Sequence, residues 1–456
     1  MAKLRIADVN DFLSLTGGGV RRYHLEKLRY LARREDIEYH LLLPSDRAGV
    51  EVHGTARIHH VPALALGSSG YRLMWNPFHL RRVLRQIRPD VVEVGSPFHT
   101  PDWVRFAVAG LDARVVGFWH ANFPVTDVRR VLSKAAHWLG ALGERLGWWW
   151  ARRTYGRFAA TMAATTCMVE QLQRNGVAGV VPMPLGVDTQ MFAPRHRDAA
   201  LRATWGAGPD DVVLAYAGRL SEEKNFRPLL DAYVRIRETT AERPLLVIAG
   251  HGPGAGDVLA LAQRFPEVRY LGFVAKPREM ARVLASVDVV ACLCPYETFG
   301  LAAVEAMASG AAVLGSAQMS IGELLGLTRA GIALDTTTAT TVADAWLELL
   351  KPGRAALLGA RGRAEVERRW SWKATFERIV GVYEQAAAPT SVVGPTLAAL
   401  LDGGGTDVAG EFSQIARPSE SLRRIAAASG SDVIEPYGIA SQSKQAVDPA
   451  ADTTKR

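Results

Sequence analysis

The feature that most limits what this chain can fold into is an alternation of short apolar runs with helix-period stretches. It extends from residue 4 to about residue 385 and starts afresh once. In the first series the strand-like runs are 4–9, 38–43, 91–94, 114–119, 161–165 and 180–182. In the second they are 212–216, 245–249, 268–271, 287–293 and 312–314. Helical stretches lie between them, one over 20–34 behind the turn Thr16-Gly17-Gly18-Gly19, one starting near Arg227, and a last pattern running to about Gln385. Such alternation predicts an α/β chain with parallel sheets packed between helices. The turn-rich segment Met183-Pro184-Leu185-Gly186-Val187-Asp188 to Pro194 parts the two series and reads as a linker. The expected organisation is a first domain at 1–183, a linker at 184–198, a second domain at 199–370, and a helix at 371–387 returning to the first domain. Residues 388–456, rich in Ala, Ser, Thr, Gly, Pro and Asp, read as a disordered tail in which 397–401 or 421–428 has the pattern of a short helix.

Composition narrows the class. With 48% hydrophobic and 22% charged residues the chain has material for real cores. A net charge of +8 favours an anionic partner such as a nucleotide phosphate or an acidic membrane surface. Nucleic acid is not expected, because zinc-finger spacing, an RNA-binding aromatic signature and a long Lys/Arg run are all missing. The three cysteines, Cys167, Cys292 and Cys294, are too few for a disulfide framework and read as small buried fillers rather than zinc ligands. The first eight residues carry no signal-peptide core, and no apolar run approaches the ~20 residues that span a bilayer. A cytoplasmic protein, at most peripheral on the inner face of a membrane, is the expectation.

Open parallel sheets bind ligands beyond the carboxyl ends of their strands, where helices begin. Four segments of the second series fall there. Gly218-Arg219-Leu220-Ser221-Glu222-Glu223-Lys224-Asn225 puts a guanidinium fork and an ammonium in one loop, suited to a diphosphate that gains charge as its bond to a sugar breaks. Taken alone, it also looks like a solvated turn. Ala249-Gly250-His251-Gly252-Pro253-Gly254 would let backbone approach a ligand, although its spacing is not that of a dinucleotide fingerprint. Leu271-Gly272-Phe273-Val274 is a short turn of the kind that can contact a base. The fourth, Pro295-Tyr296-Glu297-Thr298-Phe299-Gly300-Leu301-Ala302-Ala303-Val304-Glu305, sets one glutamate in a loop and another in an apolar helix start, where a carboxylate needs a partner or a cleft. Eight residues of helix rise by about 12 Å, too far for a glycosidase carboxyl pair and better suited to two acceptors reading one nucleotide sugar.

Together, Gly218-Arg219-Leu220…Glu223-Lys224, Gly250-His251-Gly252-Pro253 and Glu297…Glu305 resemble the retaining glycosyltransferases of family 4, over about residues 4–385. The resemblance implies the GT-B architecture, two Rossmann-like domains facing across a cleft, the first holding the acceptor and the second the nucleotide sugar. It implies that Arg219 and Lys224 bind the donor diphosphate, Glu305 the ribose and Glu297 the sugar, with Phe299, Gly300 and Leu301 beside the phosphates. Thr298 and Gly218 belong to the same loops, and the glycines Gly17, Gly18 and Gly19 would approach the donor from the first domain. His120, in Phe118-Trp119-His120-Ala121-Asn122, would lie near the reacting sugar, and His99 and Asn122 would line the acceptor pocket. Ala312 stands where the family commonly has proline.

No Asp-x-Asp sequence occurs, so transfer without metal or cofactor is expected, the donor phosphate itself taking the acceptor proton. Glu297-Thr298-Phe299-Gly300-Leu301 and the glycine loop look like those of bacterial lipid α-mannosyltransferases, which points to GDP-mannose ahead of a UDP-hexose, and to a lipid or glycan acceptor. Segment 128–158 repeats Leu, Ala and Trp at helical spacing among Arg129, Arg130, Lys134, Arg145, Arg152, Arg153 and Arg157, which suits either an anionic membrane or a core helix. The rival readings are a nucleotide-sugar epimerase, which would need acid–base residues on both sugar faces, and an inactive subunit that only binds sugar nucleotides.

Overall fold

The computed structural model describes residues 3–11, 18–65 and 72–388. Gly17 and the tail from 389 onward lie outside the described residues. The first ten strands are β1 (Leu4–Val9), β2 (Ile37–Ser45), β3 (Gly49–His53), β4 (Ala56–Pro62), β5 (Leu64–Ala65), β6 (Arg72–Leu73), β7 (Val91–Val94), β8 (Arg114–Trp119), β9 (Ala160–Ala163) and β10 (Val180–Pro182). Eight of these form one sheet in the order β10-β9-β8-β7-β1-β2-β4-β3, parallel except for β3 against β4, while β5 and β6 pair separately. A second, all-parallel sheet follows: β11 (Val213–Ala217), β12 (Leu245–Ala249), β13 (Val268–Gly272), β14 (Val289–Cys292), β15 (Ala312–Ser316) and β16 (Gly331–Leu334), in the order β13-β12-β11-β14-β15-β16. The fold is that of two Rossmann-like α/β layers, the GT-B arrangement. Sequence reading passed over β3, β4 and β16, and the two-residue strands β5 and β6. β3 lies at a sheet edge and β4 beside it, where polar residues are tolerated, so neither carries a continuous apolar run, while β16, Gly-Ile-Ala-Leu, is apolar but only four residues long.

The core of the first sheet holds a charged cluster. Lys27, fully buried on the helix Gly19–Leu31, stands 2.8 Å from both Asp8 of β1 and Glu93 of β7. His24 Nδ1 is 3.1 Å from Asp8, Tyr39 donates to Asp8 at 2.7 Å, and Tyr23 donates to Glu93 at 3.0 Å. Burial by itself would raise the Asp8 pKa, but Lys27 and His24 outweigh it and hold the carboxyl well below the usual range. The helix Trp372–Ala387 closes this core from the other end of the chain, Tyr383 donating to Glu93 and Phe376 packing 6.1 Å from Tyr23. Its start is pinned to the linker, where Thr375 donates to Pro184 O at 2.9 Å. A Cβ on Gly186 would fall 2.3 Å from the Trp372 nitrogen, so only glycine fits there.

Between β8 and β9 the chain forms a π-helical turn Pro124–Arg129, a short helix Arg130–Ser133 and the helix His137–Tyr155. Gly140, Gly143 and Gly147 line one side of the long helix, and Cβ atoms there would strike Ser133, Leu132 and Pro124 at 1.9–3.0 Å. That close approach turns Trp148, Ala151 and Tyr155 into the core and leaves Trp138, Leu142, Leu146 and Trp149 in solvent. The helix therefore has both a core face and an exposed apolar stripe.

Candidate active site

In the second sheet β11 lies between β12 and β14, the point where the strand order reverses and a crevice opens at the carboxyl ends. The loop after β11 and the loop after β14 meet there. Lys224 and Glu297 form an ion pair, with the Lys224 side chain 28% and the Glu297 side chain 25% exposed. Burial opposes the ammonium, yet Glu297 outweighs that effect and lifts the Lys224 pKa above the ordinary lysine value. Asn225, in the left-handed region at φ 50°, turns the chain and donates to Leu293 O at 3.1 Å and Thr337 Oγ1 at 2.7 Å. Ser320 donates to Glu297 O at 2.7 Å, fixing the second loop. Arg219, in the loop after β11, is more than half exposed and stands 3.8 Å from Glu223. Burial pushes the Cys292 and Cys294 thiols up to about 12, and Cys294 donates to Glu223 O at 3.0 Å, so both act as neutral packing groups.

The glycine turn after β12 has a different first task from the one its sequence suggests. A Cβ on Gly250 would lie 1.8 Å from Gly218 O, and one on Gly252 would lie 2.5 Å from Leu220 O. These glycines admit the backbone of the Arg219 loop, which is held by Gly218 N–H to Ala249 O (3.0 Å) and Leu220 N–H to His251 O (3.1 Å). Phe273 stands exposed after β13. Gly300, at φ 89°, caps the helix Leu301–Ala308, with Phe299 buried beneath it. Glu297 precedes that helix, so helical rise applies to only part of its separation from Glu305. Helix starts leave N–H groups without partners inside the helix, and those at Leu301 and Ala302 stand in that position. Burial pushes the Glu305 carboxyl up to about 6, Arg22 opposing the shift and Glu26 adding to it.

Residues from the first sheet face these loops. Gly18, at φ 111°, and Gly19 start the helix Gly19–Leu31, and a Cβ on Gly19 would lie 3.0 Å from Leu301 Cδ1. Thr298 donates to His120 O at 2.8 Å, and Thr165 donates to Thr298 O at 3.1 Å. Glu323 accepts the N–H groups of Thr166 (2.9 Å) and Cys167 (2.8 Å) at the start of the helix Thr166–Arg174. Lys134 lies 3.3 Å from Glu222. His120 stacks on Phe118 at 4.2 Å, with its Nε2 enclosed and without a hydrogen bond. Burial and the neighbouring His24 keep its pKa well below that of an ordinary histidine, so the ring is neutral at physiological pH. Asn122 is buried and donates to Gln171 at 2.9 Å, while its Oδ1 has no partner. His99 rests against Trp103 at 4.3 Å, 3.3 Å from Asp11.

Residues 198–363 match the model of the glycosyl transferases group 1, and residues 17–191 match that of Glycosyltransferase Family 4. The GDP-mannose-dependent alpha-(1-6)-phosphatidylinositol dimannoside mannosyltransferase of Mycobacterium tuberculosis is 30% identical over 338 residues, covering 71% of this chain and 82% of that protein. The chain belongs to glycosyltransferase family 4. Another M. tuberculosis protein, a GDP-mannose-dependent alpha-mannosyltransferase, is 28% identical over 398 residues, 84% of this chain and 97% of that one. Among solved structures, sucrose-phosphate synthase from Thermosynechococcus elongatus superposes with a TM-score of 0.69 at 17% identity, covering 84% of this glycosyltransferase and 99% of the synthase. Anabaena HepE in complex with UDP and glucose gives 0.64 at 17% identity, over 84% of this chain and all (100%) of that one. These two likenesses show the fold.

Two groups of residues in this glycosyltransferase escaped sequence reading. Tyr23, His24 and Lys27 share a face of the helix Gly19–Leu31 and reach the buried Asp8 and Glu93. The signal was there, since polar residues occupy the positions where an amphipathic helix should carry aliphatic ones. The second group, Arg22 and Glu323, reaches from one half of the chain to the other. Nothing in their local sequence marks that contact.

Proposed function

We propose that this glycosyltransferase moves mannose from GDP-mannose, with retention of configuration, to a lipid-linked acceptor. The observation that carries the reading is the Lys224–Glu297 pair at the reversal point of the second sheet, beside Arg219 and the start of the helix Leu301–Ala308. Domain 199–370 then holds the donor and domain 1–183 the acceptor. Lys224 and Arg219 meet the diphosphate, with the Gly300–Leu301 turn and Gly18–Gly19 beside it. Glu297 accepts from the sugar, Glu305 from the ribose, and Phe273 lies against the base. As the C1–O bond to phosphate breaks, its electron pair stays with the diphosphate, where fixed cations stabilise the growing charge. The acceptor oxygen bonds C1 on the same face and its proton passes to a donor phosphate oxygen. Neutral His120 contributes dipole and shape near the sugar, and His99 and Asn122 stand on the acceptor side. GDP-mannose is favoured because both mycobacterial relatives are GDP-mannose-dependent mannosyltransferases.

The lipid acceptor is supported by the exposed stripe Trp138, Leu142, Leu146 and Trp149, with Arg153 stacked 5.9 Å from the Trp149 ring. Aromatic and basic residues on one helix face suit an anionic bilayer interface. Among the described residues no helix is long and apolar enough to cross a membrane. The test incubates the full chain with labelled GDP-mannose or UDP-glucose and vesicles containing phosphatidylinositol lipids. Mannose in the lipid fraction supports the proposal; glucose transfer alone, or an epimerised free sugar nucleotide, overturns it. Trp138→Ser/Trp149→Ser should reduce vesicle cosedimentation, and unchanged binding would remove the stripe from membrane docking.

A further inference from the structure

Arg22 is a cation on the first half of the chain whose nearest carboxylate lies on the second. Its Nη2 stands 3.6 Å from Glu305 Oε1, with the two side chains 20% and 15% exposed. The guanidinium also lies 5.3 Å from the centre of the Phe192 ring, and its Nη1 is 3.9 Å from Met191 Sδ. Met191 and Phe192 belong to the linker, which is itself held by Asp188 accepting the Met191 N–H at 2.9 Å and by Arg363 donating to Phe192 O at 2.8 Å. A ring face, a thioether and a carboxylate thus fix the guanidinium on three sides.

We propose that Arg22 is a positioning residue for the donor, holding the Glu305 carboxylate ionised and aimed so that both of its oxygens can accept from the ribose. The inference rests on reading Glu305 as the ribose acceptor. Few other charges are close enough to do this. From the helix Gly19–Leu31, Glu26 also faces the site, but it is an anion paired with Arg29 at 2.7 Å and raised in pKa by its burial. Arg363, on the helix packed behind, turns to the carbonyls of Thr189, Phe192 and Ala308 and to Glu367. Arg282, from the helix Pro277–Ala285, pairs with Asp198 at 2.5 Å. The adjoining strands β14 and β15 carry no charged residue. With Arg22 present the Glu305 carboxyl already sits at about 6. Removing the cation moves it further up, toward neutrality, and a protonated Glu305 loses one of its acceptors.

The sign of the pH effect follows. Donor binding weakens as pH falls through the Glu305 pKa, and Arg22→Met shifts that limb to higher pH. The experiment measures KM for GDP-mannose and the dissociation constants of GDP and UDP, from about pH 5.5 to 8.5, for the full chain, Arg22→Met, Arg22→Lys and Glu305→Gln. Arg22→Met should raise the donor KM about threefold near pH 6.5 and about eightfold near pH 5.5, as a one-unit rise of the Glu305 pKa from about 6 requires, and hardly at all near pH 8.5. Its kcat should stay within about threefold, and Arg22→Lys should restore most of the affinity. A rise in KM independent of pH would reduce Arg22 to packing, and an unchanged or lowered KM would make the pair a latch on the empty cleft; both outcomes overturn the proposal. If Glu305→Gln binds nucleotide as tightly as wild type, it is the reading of Glu305 that fails.

Discussion

Lys224→Ala removes the ammonium from the reversal point of the second sheet and leaves Glu297 without its partner. Two effects are then separable by size. If the ammonium faces the leaving diphosphate, its loss deprives the transition state of one preorganised charge, about 3–4 kcal/mol or a 10²–10³-fold fall in kcat. The loss of the ion pair is smaller, because about a quarter of each side chain remains in contact with water. It should be about 1–3 kcal/mol, between the values of exposed and buried pairs. The assay is steady-state transfer from GDP-mannose at saturating donor, well below the unfolding temperature, with thermal unfolding recorded in parallel. Lys224→Ala/Glu297→Gln separates the roles. If Lys224 only neutralises Glu297, the double variant turns over as fast as Glu297→Gln alone; if it acts on the diphosphate, the double variant falls below Glu297→Gln by a further factor of about 10²–10³. Because Glu297 holds the lysine pKa above its ordinary value, Lys224 stays charged and should impose no alkaline limb on kcat below about pH 9. A Lys224→Ala kcat within about threefold of wild type, or a double variant as fast as Glu297→Gln alone, would refute the assignment.

Lys27→Met should destabilise the chain by about 3–5 kcal/mol near neutral pH, since two buried carboxylates lose their shared cation. In the wild type the Asp8 pKa is depressed, so its stabilisation is present above the unfolded value and lost as pH falls through the acid range. Protonation of the stranded carboxyls relieves the variant, so the gap between the two unfolding temperatures should narrow toward about pH 5; a constant gap would count against the network. Gly300→Ala forces a side chain into φ 89° and toward Ile321 Cδ1 at 2.5 Å. It should cost about 1–2 kcal/mol and raise donor KM, read by thermal unfolding and kinetics. Glu323→Ala removes two accepted N–H bonds that join the halves of the chain. Hydrogen exchange at Thr166 and Cys167 should accelerate by about tenfold or more, and unchanged protection would show that the contact is incidental.

Much of the fold was legible because its signals are local. β1, β7, β8, β10 and β12 begin and end at the residues that their apolar runs mark. The polar edge strand β3 and its neighbour β4 were invisible for the same reason, since their stability comes from pairing rather than from their own pattern. At the site, the order of motifs along the chain placed Arg219, Lys224 and Glu297 in loops after strands and Glu305 in the helix that follows. Sequence could not show that Gly250 and Gly252 serve first to admit another loop's backbone, because that constraint belongs to residues 218–220.

The sequence by itself therefore determined the α/β class, the two series and the chemistry on offer at their strand ends, all set by period, turn residues and side-chain type within short windows. Tertiary structure alone decided which strands are neighbours, and hence that Lys224 meets Glu297. It also brought Asp8, Lys27 and Glu93 together from three separate elements, and set Arg22 against Glu305. The physical reason is the range of the forces. Backbone propensity acts over a few residues, whereas an ion pair depends only on distance in space, and 283 positions of sequence separate Arg22 from Glu305.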